Sequence, residues 1–386
     1  MKRLFKIICL IAYIIVLTMC FSVSVCAAKP DGNNDDVYKK QLEIIDGRGM
    51  FSAVPEQARE SLSDIGISSA DINDLRSLDT KSIFSEIASI SEKSSKAPLN
   101  SFAVCIGIML LCTVTEGFRF GLAEKRLLTV QNAVGAVCVC TAVIMPLCSL
   151  IYRTSEIING AAGFMLLYVP VLAGLLITSG RETTAAAYYG SMMMFGNFVS
   201  AVSSKIVVPL MNIFLALSVT SAVSPKLSFG SLCGSLYKTA KQVLVFAVSV
   251  FVTVTSIQTI VTSSMDNVSK RTIRFALGSF VPVVGNVIGE AITTFNGSLD
   301  MLRAGSGVFV IMAAGIIVLP VLIECTIWRM ALYLLDSSAE ILGLSQMRGV
   351  FKALSDAAGL MTAVIICILM VFIITTVVIL VAGRGE

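Results

Sequence analysis

The sequence predicts an all-α fold: a polytopic membrane helix bundle of about seven or eight spans, one of them broken or re-entrant, with a small helical exported segment at its amino end. Three observations predict it. Uncharged apolar stretches recur between residues 97 and 383, and roughly 20 apolar residues make one transmembrane helix. Of the nine prolines, Pro146, Pro170, Pro209, Pro282 and Pro320 lie inside those stretches. Each removes a backbone donor where no water replaces it, so a neighbouring helix or a wet cavity must satisfy the freed carbonyl. Finally, 56% of the residues are hydrophobic, 14% are charged and the mean hydropathy is +0.87, far from an ordinary soluble domain.

Residues 1–28 read as a signal peptide or signal anchor. Lys2, Arg3 and Lys6 give a positive start, an apolar middle comes next, and Val25-Cys26-Ala27 ends in small residues suited to cleavage after Ala27. An uncleaved first span is the alternative. In either case the positive start stays inside and the soluble segment after it is exported.

Residues 29–96 form the soluble segment of the chain. A polar linker opens it, and three helices are expected behind the linker. The first, over residues 55–65, has Pro55 at a first-turn position, Glu56 behind it and Gly66 as its stop. Ser69 or Asp71 caps the second. Thr80 caps the third, with Ile83, Phe84, Ile87 and Ile90 on one face. So few large apolar side chains make a marginal independent core, so the segment is expected to dock on the membrane domain or on a partner.

The membrane domain spans residues 97–386. Stretches free of Asp, Glu, Lys and Arg fall at 97–115, 127–152, 157–180, 183–204, 206–225, 242–265, 304–323 and 357–383. Residues 275–299 are apolar but hold Pro282, Gly278, Gly285, Gly289, Gly297 and Glu290, which predicts the broken or re-entrant helix. Residues 330–359 alternate apolar and polar, the pattern of an interfacial amphipathic helix. Basic loops at 119–126, 226–241 and 270–274 cannot all lie inside, so the charges fix no orientation for the carboxyl terminus.

Glu290 is the leading candidate for a working residue, because an ionisable group at membrane depth is costly. It adjoins Gly285 and Gly289, a GxxxG spacing that lets helices approach closely, and Pro282 marks the break before them. The structural alternative is an interfacial Glu290 paired with Lys270, Arg271 or Arg274. Glu116, Arg119, Glu324 and Arg329 stand at segment ends, where snorkelling accounts for them. Asn197, Asn212, Gln258 and Asn286 are amides of the kind that hold helices together, and Trp328 fits an interfacial anchor. Cys105, Cys112, Cys138, Cys140, Cys148 and Cys367 sit in apolar runs and read as packing residues.

Histidine is absent, which removes the commonest general base, metal ligand and proton switch. No GxxxxGK[ST] loop is present, so the chain does not power itself with ATP. No catalytic residue, cofactor or metal is assigned, the expectation is that the chain is not an enzyme, and a net charge of +4 gives no argument for nucleic acid.

Several stretches keep one order along the chain. Lys96-Ala97-Pro98-Leu99 leads into a span ending Thr115-Glu116-Gly117. Gln258-Thr259-Ile260-Val261-Thr262-Ser263-Ser264 precedes Lys270-Arg271-Thr272-Ile273-Arg274-Phe275-Ala276. Then come Ser279-Phe280-Val281-Pro282-Val283-Val284-Gly285, Gly289-Glu290-Ala291 and Ala304-Gly305-Ser306-Gly307-Val308. On these residues the chain resembles the stage III sporulation protein AE family of endospore-forming bacteria. The run Asn286-Val287-Ile288 departs from the smaller residues expected there.

The resemblance implies a non-enzymatic, multi-pass subunit of the secretion-like channel complex linking mother cell and forespore. It implies residence in the mother-cell membrane around the forespore, with the soluble segment facing the space between the two membranes. It implies as partners the other stage III proteins, AA to AH, including the ATPase and the ring-forming members, and stage II sporulation protein Q on the forespore side, besides membrane lipid. The alternative from the residues alone is a self-sufficient secondary transporter with its site at the break between Pro282 and Glu290.

Overall fold

The computed structural model describes residue 51, residues 54–67, 80–117, 125–202, 230–280 and 285–383, and a few positions between 205 and 220. Within these the chain is helical, with no strand. The helices are α1 (Glu56–Ile65), α2 (Thr80–Gly117), α3 (Lys125–Thr178), α4 (Glu182–Val202), α5 (Gly230–Phe280), α6 (Gly285–Ile341) and α7 (Ser345–Gly383). Among the described residues, five helices are long and apolar enough to cross a membrane: α2, α3, α5, α6 and α7. The signal segment and Pro282 lie outside the described residues, whereas Pro209 is described as helical and exposed.

Pro55, Glu56 and Gly66 delimit α1 as the sequence predicts. Its buried stripe is Ala58, Leu62 and Ile65, and it rests on α2 and α6. Just before it, Phe51 meets the buried Phe309 of α6 with ring centroids 6.3 Å apart. A segment too poor in apolar side chains for a core of its own thus shares the core of the bundle.

The described part of α2 opens at Thr80, which is itself helical, so the expected cap falls outside what the structure tests. Ile90 is buried and Ile83 packs against the core, but Phe84 is 75% exposed, so the stripe that faces inward is narrower than the predicted one. α2 continues through Pro98 to Gly117 without a break at residue 97.

The stretches 127–152 and 157–180, expected as separate crossings, form one helix. Residues 153–156 contain no Gly or Pro, and Arg153 is tied to Glu324, so nothing ends α3 there. The proline inside its first half is accommodated by a neighbour. Pro146 leaves the Ala142 carbonyl without its intrahelical donor, and the buried Ser101 hydroxyl of α2 donates to that carbonyl at 3.4 Å.

α6 and α7 are the central pair: 83% of the apolar window of α6 and 67% of that of α7 are buried, against 6% for α5. Residues 330–359, expected to include an amphipathic helix of their own, form the tip of the α6–α7 hairpin. Gly343 adopts φ 75°, and the Leu344 N–H reaches the Ala339 carbonyl at 2.9 Å, a Schellman closure that needs a left-handed residue. The polar residues there pair across the hairpin, Arg348 with Asp336 at 3.4 Å and with Glu340 at 3.1 Å. Trp328, expected at an interface, is 1% exposed and lies in the core, because α6 is surrounded at that level by its neighbours.

Two polar levels tie α3 to α6. Arg153 meets Glu324 at the lower one, midway along α3, and Ser179 meets Arg303 at the upper one, so α3 and α6 run antiparallel between them. The intervening lengths are about 39 Å on α3 and about 31 Å on α6 at ~1.5 Å per residue. α5 spans the same two levels, from Lys241 beside Cys367 of α7 to Asp266 at the start of α4.

Candidate functional site

The upper polar level is built at the turn from α3 to α4. Gly180 takes φ 69°, the Gly180 N–H bonds the Ile177 carbonyl at 2.8 Å, and the Arg181 N–H bonds that of Leu176 at 3.0 Å. A side chain with a Cβ would be strained in that conformation. The sharp reversal leaves the first amides of α4 without intrahelical acceptors. Asp266, from α5, supplies them. Its carboxylate accepts the Thr183 N–H at 3.1 Å and the Thr184 N–H at 2.9 Å, and the Thr183 hydroxyl donates to it as well. An anion at a helix amino terminus also faces the positive end of the helix dipole.

Two arginines complete this junction. Arg181 donates to the Ser263 hydroxyl at 3.4 Å, one turn before Asp266 on α5. Arg303, from α6, donates to the Ser179 hydroxyl. Asp266, Arg181 and Arg303 are all buried, as is Ser306 beside Arg303. Further along the α4–α5 seam, the Ser191 hydroxyl donates to Gln258 Oε1 at 2.7 Å, and Phe195 packs on Phe251 with centroids 4.2 Å apart. Four helices therefore meet through hydrogen bonds, Asp266 to the first amides of α4 and Arg181, Arg303 and Gln258 to serine hydroxyls.

At the lower level Glu324 is buried and pairs with the half-exposed Arg153. Thr154, adjacent and buried, bonds the Leu150 carbonyl at 2.7 Å and contacts Met361 Sδ at 3.7 Å. Glu324 is therefore not a snorkelling end residue. It lies where α3 crosses α6, and the pairing makes its burial tolerable. Nearby, Asp356 of α7 faces Lys352, Arg329 and Lys238. Gly359 is the close-approach point of this layer: a Cβ there would lie 3.3 Å from Arg329 Nε and from the Tyr237 hydroxyl.

Of the residues singled out from the sequence, Gly285, Gly289 and Glu290 occupy the first turns of α6. Their side chains and the whole of Pro282 lie outside the described residues. Glu290 is about 20 Å along α6 from Arg303 at ~1.5 Å per residue. Gln258 does join helices, to Ser191, whereas Asn197 bonds the Met193 carbonyl of its own helix at 2.9 Å. Cys105, Cys112 and Cys140 are buried and Cys138 is exposed, so Cys138 and Cys140 point to different faces. Sequence alone does not single out Asp266, Arg181, Arg303 or the Arg153–Glu324 pair. The available signal is that each charge sits at the edge of an uncharged stretch, on helices that must pack against one another.

What this arrangement offers is attachment. Its charged groups are engaged with helix ends, hydroxyls and one another, and among the described residues no group of three or more Cys, Asp or Glu converges as a metal site would require. The family model described as stage III sporulation protein AE matches residues 68–383. The chain belongs to the stage III sporulation protein AE family. The match takes in α2 to α7 and leaves α1 outside. Stage III sporulation protein AE of Bacillus subtilis (strain 168) is 27% identical over 154 residues, which is 40% of this chain and 39% of that protein. The aligned part therefore spans well under half of either chain. No solved structure matches. Within this AE family member, one stretch quoted for the resemblance lines this junction. Gln258, Thr262 and Ser263 face Ser191, Thr183 and Arg181, and Ser306 lies one turn from Arg303.

Proposed function

We propose that this chain is a non-enzymatic membrane subunit of the channel complex between mother cell and forespore. A role in sporulation follows from the family; the finer assignment rests on one further observation. The buried charges of the bundle, Asp266, Arg303 and Glu324, each contact another helix. That is the pattern of a platform whose parts must hold a fixed geometry. Its partners are the other stage III proteins, AA to AH, with the ATPase supplying the energy, and stage II sporulation protein Q across the intermembrane space. Its place is the mother-cell membrane around the forespore, with residues 29–96 outside that membrane and residues 97–386 forming the membrane domain. Glu290, Gly285, Gly289 and Pro282 belong in this reading to packing or partner contact near the start of α6.

The test is a tagged pull-down with crosslinking from sporulating cells, sampled as engulfment completes. Recovery of the stage III ATPase and ring-forming proteins is expected. Recovery of the chain alone, or equally from growing cells, would overturn the assignment.

A further inference from the structure

An apolar cavity of about 580 Å³ lies between α3, α4, α5 and α7. Met194, Phe198, Val250 and Val254 line it, and each is also exposed on the outer surface of the bundle, so it is a groove open sideways. On α5 its lining runs from Leu244 to Gln258, about 21 Å at ~1.5 Å per residue, against ~15 Å for one leaflet of hydrocarbon. Its end near Gln258 is closed by the Ser191–Gln258 hydrogen bond and the buried Thr255.

The other end is cationic. Cys367 lines the groove, and Lys241 lies close enough to act on it electrostatically. Lys241 stands 6.0 Å from the ring centroid of Tyr237. Lys238, one turn earlier and likewise exposed, faces Asp356 together with Arg329 and Lys352. Lys238 is thus one of the cations around Asp356, while Lys241 lies by Tyr237 and Cys367 at the mouth of the groove. This end lies at the edge of the uncharged stretch 242–265 of α5, where a lipid headgroup would meet it.

From this juxtaposition we infer that the groove holds an anionic phospholipid, one acyl chain along α5 and the phosphate at Lys238 and Lys241. The tail gains little by leaving bulk lipid, since both surroundings are apolar. The groove therefore sets shape, and the lysines set selectivity for negative headgroups.

Native mass spectrometry of the full chain released from micelles containing phosphatidylglycerol or phosphatidylcholine tests this. Retention of phosphatidylglycerol over phosphatidylcholine is expected, with no competition from soluble glycerol phosphate. Neutralising the exposed pair, Lys238→Gln with Lys241→Gln, should lower phosphatidylglycerol retention by about tenfold or more. Gly190 lines the groove and nothing lies within 4 Å of a Cβ built on it. Gly190→Phe should therefore fill the groove and lower retention of both lipids, with an unchanged helical melting curve. Equal retention of the two lipids, or retention indifferent to all three substitutions, would overturn the inference. Competition by glycerol phosphate alone would reduce the site to a phosphate patch, and a mass of two chains with no lipid would give the groove to a second copy.

Discussion

Glu324 shows how a buried charge can be structural. With Arg153 removed, its carboxylate is left unpaired among apolar side chains. Arg153→Met alone should therefore destabilise the bundle by about 3 kcal/mol, whereas Arg153→Met with Glu324→Leu should recover most of the loss. Thermal melting of the purified variants in one detergent checks this; additive losses in the double variant would show that the two residues do not act as a pair. Asp266 makes a second prediction. Asp266→Ala leaves the Thr183 and Thr184 amides without acceptors, at a cost of about 1–2 kcal/mol. Hydrogen exchange at those two amides should accelerate while exchange in the α6–α7 hairpin stays unchanged. In the sequence Asp266 does not stand out, and Glu324 reads as a snorkelling segment end. Counting uncharged stretches makes every charge a boundary, and only the fold shows that Asp266, Arg303 and Glu324 lie inside a helix contact.

At the scale of elements, reversals are more legible than crossings. Pro55 and Gly66 mark helix ends by local chemistry that needs no tertiary context, and both ends lie where that chemistry puts them. The continuity of α3 is not legible, because Arg153 looks like a loop residue until Glu324 is placed beside it. The tip of the α6–α7 hairpin reads as an interfacial helix for a similar reason: Asp336, Glu340 and Arg348 are polar, but they face one another. Two predictions belong here. Gly180→Val forces a β-branched residue into φ 69°, at a cost of about 1–2 kcal/mol. It should lower accumulation in the membrane, read by quantitative immunoblot, while Gly190→Ala leaves accumulation unchanged. Gly359→Leu should push Tyr237 and Arg329 apart and loosen α5 from α7, read as proteolytic sensitivity of α5 in detergent.

For the whole molecule, apolar composition and the intramembrane prolines are enough to read a helical membrane bundle, and the ordered motifs are enough to read the family. The two polar levels are not legible, since they depend on which helix ends meet. On α5 the uncharged stretch 242–265 separates Lys241 from Asp266 and is long enough for one crossing, so positions beside them lie on opposite sides. Lys241→Cys and Met265→Cys, in a chain otherwise freed of cysteine, should react with an impermeant maleimide from opposite sides of sealed vesicles. Labelling from the same side would show that α5 does not cross between them.

The buried charges hold a platform together, in this account, and do not carry chemistry or a transported solute. Spore yield from cells whose only copy carries Arg153→Met with Glu324→Leu tests that most directly. A stably accumulating double variant should sporulate at close to the wild-type level and recover the same partners. A double variant that accumulates normally, recovers its partners and yet makes no spores would contradict the account, because the charge pair would then be needed for something other than architecture.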